Sequence, residues 1–143
     1  MKIRDLLATK GDAVEAIGAD ATVGDVVTRL TRLGIGALVV TGPTGSVDGI
    51  ISERDVVRAL AAHGDDALHR RVGDEMSAPV TTGAPDDEVT SLMSLMTERR
   101  IRHLPVVEAG RLVGIVSIGD VVKSRVDQLE RDRKELLEYV SAR

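Results

Sequence analysis

Apolar residues follow a helical spacing in two stretches of the chain, and an apolar run of strand length comes after each. In residues 23–33 and 89–96 the apolar positions recur every three or four residues, which is typical of a helix with one buried face. These positions are Val23, Val26, Val27, Leu30 and Leu33 in the first stretch and Val89, Leu92, Met93 and Met96 in the second. Residues 35–40 and 101–106 are almost continuously apolar, as expected of buried strands. The pattern therefore predicts one helix–strand unit that occurs twice.

Capping residues stand where these two helices are predicted to begin. Thr22 precedes the first helix, and Asp25 follows it by three residues, which is the spacing of a capping box. Asp86 or Asp87 is placed to cap the second helix in the same way. Both helices are therefore predicted to start at defined positions.

A seven-residue motif supplies the clearest sign of duplication. Gly-Ile-Ile-Ser-Glu-Arg-Asp at 49–55 returns as Gly-Ile-Val-Ser-Ile-Gly-Asp at 114–120, and Val-Val follows each copy. The motif predicts a short buried strand that leads into a helix at its serine. A hydroxyl and the unpaired N–H groups of a helix N-terminus can together hold an anion such as phosphate. The aspartate, one turn further on, is placed to accept hydrogen bonds from sugar hydroxyls.

The repeated order is strand–helix–strand–strand–helix, with short first strands predicted at 14–17 and 80–82. One copy has too little chain for a good core, so we expect the two copies to pack sheet against sheet as a closed pseudo-dimer. We assign residues 1–71 to the first repeat, including an N-terminal turn and a polar link, and residues 72–123 to the second.

Residues 124–143 depart from the duplication and predict a charged C-terminal helix. Val126, Leu129, Leu136 and Val140 form an apolar stripe on it, interrupted by Arg133. The stripe is too short for a stable coiled coil by itself. Two docking partners are open for it: the body of the same chain and a second subunit. We expect a homodimer, for which the helix faces containing Val26, Leu30, Leu92 and Met96 are candidates.

Composition narrows the possible functions. The chain has 143 residues, a net charge of −4, no Cys, no Phe or Trp, and Tyr139 as its single aromatic residue. Thiol chemistry and disulfides are excluded, and neither the charge nor the aromatic content favours nucleic acid. No apolar run approaches the length of a membrane span, so we expect a cytoplasmic protein with no membrane contact. His63 and His69 lie on the polar link without a third well-placed ligand, so we expect no metal site and no required cofactor.

The duplicated motif, with Ile-Gly-Ala-Leu-Val-Val at 35–40 and Ile-Arg-His-Leu-Pro-Val-Val at 101–107, resembles a tandem pair of CBS domains, often called a Bateman module. The resemblance covers about residues 2–123, and the chain is similar to free-standing bacterial CBS-pair proteins. It implies an α/β (α+β) fold of two β-α-β-β-α repeats about a pseudo-twofold axis, followed by the C-terminal helix. It also implies two clefts that commonly bind adenosine-containing ligands: AMP, ADP, ATP, NAD or S-adenosylmethionine.

The resemblance carries binding roles to particular positions. Ser52 and Ser117 would contact phosphate or ribose, and Asp55 and Asp120 would bind ribose hydroxyls. The adenine would be lined through backbone groups of Val80 and Thr82 and of their counterparts Glu15 and Ile17. Four residues would face the phosphate region, with Pro105 in the strand that follows: Gly36, Ala37, Arg102 and His103. Gly119 stands where the first copy has Arg54, so we expect the Asp55 site to favour charged phosphates.

Three functions are weighed against each other. The leading hypothesis is a non-catalytic module that binds an adenosine-containing ligand and signals to a regulated partner protein. The alternative is a scaffold for dimerisation and protein interaction whose clefts are vestigial. An enzyme acting on nucleotides lacks support, because the sequence offers only His103 as a candidate base and no P-loop or dinucleotide fingerprint.

Overall fold

The computed structural model describes residues 1–11 and 14–142. Helices and short strands alternate along the chain, and the mixed α/β architecture expected from the sequence is confirmed. The elements, in chain order, are α1 Ile3–Lys10, β1 Ala16–Ile17, α2 Val23–Leu33, β2 Ala37–Thr41, β3 Val47–Ser52, α3 Glu53–His63, a 3₁₀ helix Gly64–His69, α4 Val72–Glu75, α5 Val89–Arg99, β4 His103–Glu108, β5 Arg111–Ser117 and α6 Ile118–Ser141.

The strands form one sheet in each repeat. In the first repeat β1 pairs in parallel with β2, and β2 pairs antiparallel with β3. In the second repeat β4 pairs antiparallel with β5, and the expected strand at 80–82 is wrong. From this segment Gly83 pairs with β4, through its N–H to the Pro105 carbonyl at 2.9 Å and its carbonyl to the Val107 N–H at 2.8 Å. The next bond of a parallel ladder would need an N–H at Pro105, which proline lacks.

Buried side chains form two clusters, and each cluster takes one helix from outside its own repeat. Ile3 and Leu6 of α1 pack with the core of the second repeat, beside Leu104. Val72 of α4 packs with the core of the first repeat, beside Leu38. Helices α1 and α4 therefore join the two repeats by exchange. Each helix covers apolar surface that the other repeat leaves open.

The two long internal helices begin differently. Thr22 caps α2 as predicted: its hydroxyl accepts from the Asp25 N–H at 3.1 Å, and the Asp25 carboxylate accepts from the Thr22 N–H at 3.0 Å. The predicted cap by Asp86 or Asp87 is wrong. Helix α5 begins after Glu88, which makes no side-chain capping bond among the described residues. The carboxylate of Asp87 instead accepts from the Ala84 N–H at 2.8 Å, so it closes the preceding turn.

Helix α6 is one continuous helix, where a separate C-terminal helix was expected from residue 124. Its first part packs on the second repeat through Val121 and Ser124, which are buried. Nearly every residue beyond Asp127 is exposed. The helix faces that were expected to form the dimer contact are less exposed than the stripe, because their four named residues lie in the core of the chain itself. Val26, Leu30, Leu92 and Met96 are at most 7% exposed, so these four side chains offer little accessible surface to a second subunit.

The link between the repeats is ordered as a 3₁₀ helix, whose Ala67 is buried. His63 Nε2 lies 3.5 Å from a carboxylate oxygen of Glu75, which also pairs with Arg70. Within the described part of the chain, no three His, Asp or Glu side chains are grouped so as to hold a metal ion. Over the same residues, no helix is both long and apolar enough to cross a bilayer.

Candidate functional site

Each copy of the repeated motif builds a strand that turns into a capped helix. The Ser52 N–H donates to Asp55 Oδ2 at 2.8 Å, and the Asp55 N–H donates to Ser52 Oγ at 3.4 Å. In the second copy the Ser117 N–H donates to Asp120 Oδ2 at 2.9 Å, and the Asp120 N–H donates to Ser117 Oγ at 3.1 Å. The serine-to-aspartate spacing therefore serves as a capping box in both copies. The same geometry aims a hydroxyl and helix N–H groups at the space in front of each motif.

The glycine that opens the first motif allows another segment of backbone to approach. A Cβ at Gly49 would lie 2.9 Å from the carbonyl oxygen of Ser77 and 2.6 Å from the sulfur of Met76. Because the position is glycine, Ser77 pairs with Ile50 through two backbone hydrogen bonds of 2.8 and 3.0 Å. Ser77 Oγ then donates to Asp55 Oδ1 at 2.8 Å. Ser77 was not among the residues predicted to bind ligand, since nothing in local spacing connects it with Asp55.

A cavity of about 470 Å³ opens in front of the first motif. It brings together six of the residues predicted to bind ligand: Gly36, Ser52, Arg54, Asp55, Arg102 and His103. The remaining lining residues are Ile50, Glu53, Val57, Arg58, Ser77, Arg100 and Ile101. The cavity therefore joins the first motif to the start of β4, so that both repeats contribute to one cleft.

The cleft has an excess of positive charge. Four arginines line it against the carboxylates of Glu53 and Asp55, which leaves 4 − 2 = 2 positive charges. Two of these arginines, Arg58 and Arg100, were not among the predicted site residues. Arg58 was within reach of sequence reasoning, because it lies three residues after Asp55 and its guanidinium is 3.3 Å from Oδ1. An anionic ligand fits this lining better than a cationic one.

His103 lies where the two repeats meet. A Cβ at Gly36 would make ordinary van der Waals contacts, at 3.6 Å from His103 Cε1 and 3.5 Å from Glu53 Oε1, so both side chains lie against this residue. Burial lowers the pKa of His103 below its ordinary value, and Lys10 acts in the same direction, against Asp120 and Glu53. The imidazole is therefore uncharged at neutral pH and can donate or accept a hydrogen bond there.

The other predicted residues lie outside this cleft. Ile17, Ala37 and Pro105 are buried in the strands, Ala37 opposite Ser52 and Pro105 opposite Ile115. Thr82 lines a separate cavity of about 140 Å³ beside α5. Val80 is half-buried, and the described lining of either cavity omits it. Their backbone contacts to an adenine remain a prediction.

The second motif faces a different environment. Lys10 Nζ donates to Asp120 Oδ2 at 2.6 Å and to the carbonyl oxygen of Ile115 at 2.8 Å. Burial by itself would raise the pKa of Asp120, but the hydrogen bonds from Lys10 and Ser117 outweigh it and hold the pKa below its ordinary value. Asp120 lines a cavity of about 340 Å³ between α1 and α6, together with Lys10 and Lys123. The cavity at Asp120 therefore shares no lining residue with the arginine-rich cleft, and Ser117 is not among the residues that line it.

Comparison with known proteins gives one consistent family. The sequence model of the CBS domain matches residues 3–62 and 72–127. The mitochondrial CBS domain-containing protein CBSX3 of Arabidopsis thaliana is 36% identical, over 96% of this chain and 71% of its own length. The crystal structure of the CBS-domain containing protein ATU1752 from Agrobacterium tumefaciens superposes with a TM-score of 0.83 at 43% identity, covering 87% of this chain and 99% of that one. CBSX2 in complex with AMP has a TM-score of 0.74 at 22% identity, covering 88% and 96%.

Proposed function

Because the chain belongs to the CBS domain family, we propose that it is a regulatory module that binds an adenosine nucleotide in the arginine-rich cleft. One observation carries the proposal: the residues of the first motif that are predicted to contact phosphate and ribose line the same cavity of about 470 Å³ as Arg102 and His103 of the second repeat. The structure of CBSX2 with AMP supports it at the level of the fold, since that protein shares the architecture at 22% identity.

The chemistry of the cleft fits the parts of a nucleotide separately. The N-terminus of α3 and the arginines suit phosphate oxygens, because both present N–H donors with positive charge. Asp55 Oδ2 is held by Ser52, and Oδ1 accepts from Ser77 and Arg58. A ribose hydroxyl would replace Arg58, whose side chain is 65% exposed and whose pairing is therefore weak.

The net charge of the cleft supports a choice among adenosine ligands. AMP, ADP, ATP and NAD are anions, whereas the sulfonium and ammonium groups of S-adenosylmethionine are cationic. An excess of two positive charges in the cleft favours the phosphates and disfavours the sulfonium. We therefore expect ADP and ATP to bind more tightly than AMP, and S-adenosylmethionine to bind most weakly.

Replacing Arg102 by alanine is expected to weaken ADP binding about ten- to a hundredfold, because a charge-assisted hydrogen bond to phosphate is worth about 1.5–3 kcal/mol. Titration calorimetry of ADP into wild type and variant at one salt concentration measures the change. Arg32→Ala, an exposed arginine on α2 outside the cleft lining, is the matched control and should leave the affinity unchanged. Equal affinities for wild type and Arg102→Ala would refute the placement of phosphate at this cleft. Recovery of unaltered ADP afterwards is expected of a module that does not turn it over.

A homodimer paired through α6 is the second part of the proposal, and it gives the module a surface for assembly. The stripe residues Val122, Val126, Leu129, Leu136 and Val140 are 46–62% exposed and follow heptad spacing. A helix projecting from the body with this stripe uncovered is marginal in water. In a parallel pair of helices, Arg125 would lie beside Glu130 of the other copy, since these flanking positions are five residues apart.

Removal of residues 125–143 is expected to shift sedimentation from dimer towards monomer at micromolar concentration, because four of the five stripe residues are removed while Val121 and Ser124 keep their packing. Leu129→Asp should act in the same direction by placing a carboxylate on the stripe. Leu68→Asp is the control, since Leu68 is exposed to a similar degree, 43% against 52%, but lies on the 3₁₀ helix. A wild-type chain that sediments as a monomer, or a dimer indifferent to both changes, would exclude pairing through α6.

A further inference from the structure

The two motifs fill equivalent positions with different donors. Ile50 and Ile115 each follow the motif glycine, and Asp55 and Asp120 each close the motif. In the first repeat Ser77 serves both groups: its N–H donates to the Ile50 carbonyl at 2.8 Å, and its hydroxyl donates to Asp55 at 2.8 Å. In the second repeat one donor, Lys10 Nζ, contacts both groups, at 2.8 Å from the Ile115 carbonyl and 2.6 Å from Asp120 Oδ2. Oδ2 is the oxygen that also accepts from the Ser117 N–H, whereas Ser77 binds the other oxygen, Oδ1, of Asp55.

The substitution changes how each carboxylate can be released. The backbone of Ser77 is held beside Asp55 by its pairing with Ile50, and its short side chain keeps the hydroxyl close to the carboxylate. Asp55 can still exchange its exposed partner, Arg58. Lys10 holds Asp120 through a flexible four-carbon stem, and the two side chains are 34% and 26% exposed. An incoming hydroxyl therefore competes with a tethered ammonium at Asp120 and with an exposed guanidinium at Asp55.

We propose that the Lys10 ammonium, bound to Asp120 Oδ2, competes with the ribose hydroxyls for this carboxylate, so that Lys10 makes this second cleft the weaker nucleotide site of the two. The proposal rests on the proposed function above and adds a specificity-determining residue to it. A ribose at Asp120 has to displace a donor that is already attached to the chain and therefore present at high effective concentration. The displaced pair is partly exposed and screened by water, so the penalty is limited. We expect it to amount to roughly three- to tenfold in affinity.

A titration of AMP followed by the backbone amide NMR signals of each motif tests the proposal, because it reports the two clefts separately. Arg54 and Asp55 report the first cleft, and Gly119 and Asp120 report the second. In the wild type, the signals of the first cleft should saturate at lower AMP concentration. In Lys10→Met, which keeps the length of the side chain and removes its donor, the second cleft should tighten roughly three- to tenfold while the first is unchanged.

Two further variants control for charge and for cavity shape. Lys10→Arg keeps a cationic donor at the end of the side chain and should leave the second cleft weak. Lys123→Met removes a positive charge from the same cavity. Because Lys123 is not among the described contacts of Asp120, this change should not tighten binding at the second cleft.

The outcomes are separable. An unchanged or weaker second cleft in Lys10→Met, with the first cleft still binding AMP, would overturn the role of Lys10 and indicate that its ammonium contacts the ligand instead. Signals that respond at neither cleft to AMP, in the wild type or in Lys10→Met, would overturn the proposed function and this inference with it. The Arg54 and Asp55 amide signals distinguish the two cases: they respond to AMP when only the role of Lys10 is wrong, and they do not respond when the proposed function is wrong.

Discussion

Alanine at position 55 is expected to lower the free energy of unfolding by about 2–4 kcal/mol. Asp55 is 3% exposed, and its carboxylate accepts from the Ser52 N–H and hydroxyl, from Ser77 and from Arg58. Its removal leaves the N–H and hydroxyl of Ser52 and the hydroxyl of Ser77 without their acceptor. The Arg58 contact adds little to this cost, because that side chain is largely exposed. The general expectation that a lost cap costs about 1 kcal/mol therefore underestimates this position.

The equivalent change in the second repeat provides the control. Asp120→Ala should cost only about 1 kcal/mol, since its side chain is 26% exposed and water can reach the groups left behind. Urea unfolding of both variants at neutral pH measures the difference. Equal destabilisation at the two positions would mean that Ser77 contributes nothing to Asp55. For ligand binding, Asp55→Asn is the better variant than alanine because it keeps a hydrogen-bonding side chain of the same shape.

Gly49→Ala is expected to destabilise the chain by about 1–3 kcal/mol and to disturb the cleft at the same time. The added Cβ would lie 2.9 Å from the Ser77 carbonyl oxygen, which is backbone and cannot turn aside. The two hydrogen bonds between Ser77 and Ile50 have to lengthen or break to make room. Because Ser77 also holds Asp55, ADP affinity should fall together with stability.

Gly114→Ala is the matched control, at the same place in the second motif. A Cβ there would lie 2.7 Å from Leu7 Cδ2, the end of a flexible side chain that is only half-buried. Leu7 can rotate, so we expect a smaller loss of stability and no change in ADP binding at the first cleft. Thermal unfolding together with calorimetry on both variants decides the matter. A larger loss for Gly114→Ala than for Gly49→Ala would contradict the role given to the Ser77 backbone.

Most of the helices and strands, and six of the thirteen residues that line the first cleft, were predictable from the sequence. Spacing of three, four or seven residues predicts helix α2 with its Thr22 cap, the two strand-to-helix turns and the repeat order. Local structure depends on such short-range spacing. Six of the predicted site residues meet in one cavity. Membership of the CBS family, first indicated by the duplicated motif, is confirmed by the match over residues 3–62 and 72–127.

The tertiary structure alone decided how the two repeats differ. Ser77 reaches Asp55 from 22 residues away, and Lys10 reaches Asp120 from 110 residues away. No periodicity in the sequence predicts such pairings, because they depend on which helix packs against each core. Helices α1 and α4 are exchanged between the repeats. The same holds for the strand expected at 80–82, where one missing N–H at Pro105 outweighs local preference. Two motifs that the sequence presents as equals therefore end in one cationic cleft with a buried aspartate and one aspartate held by lysine.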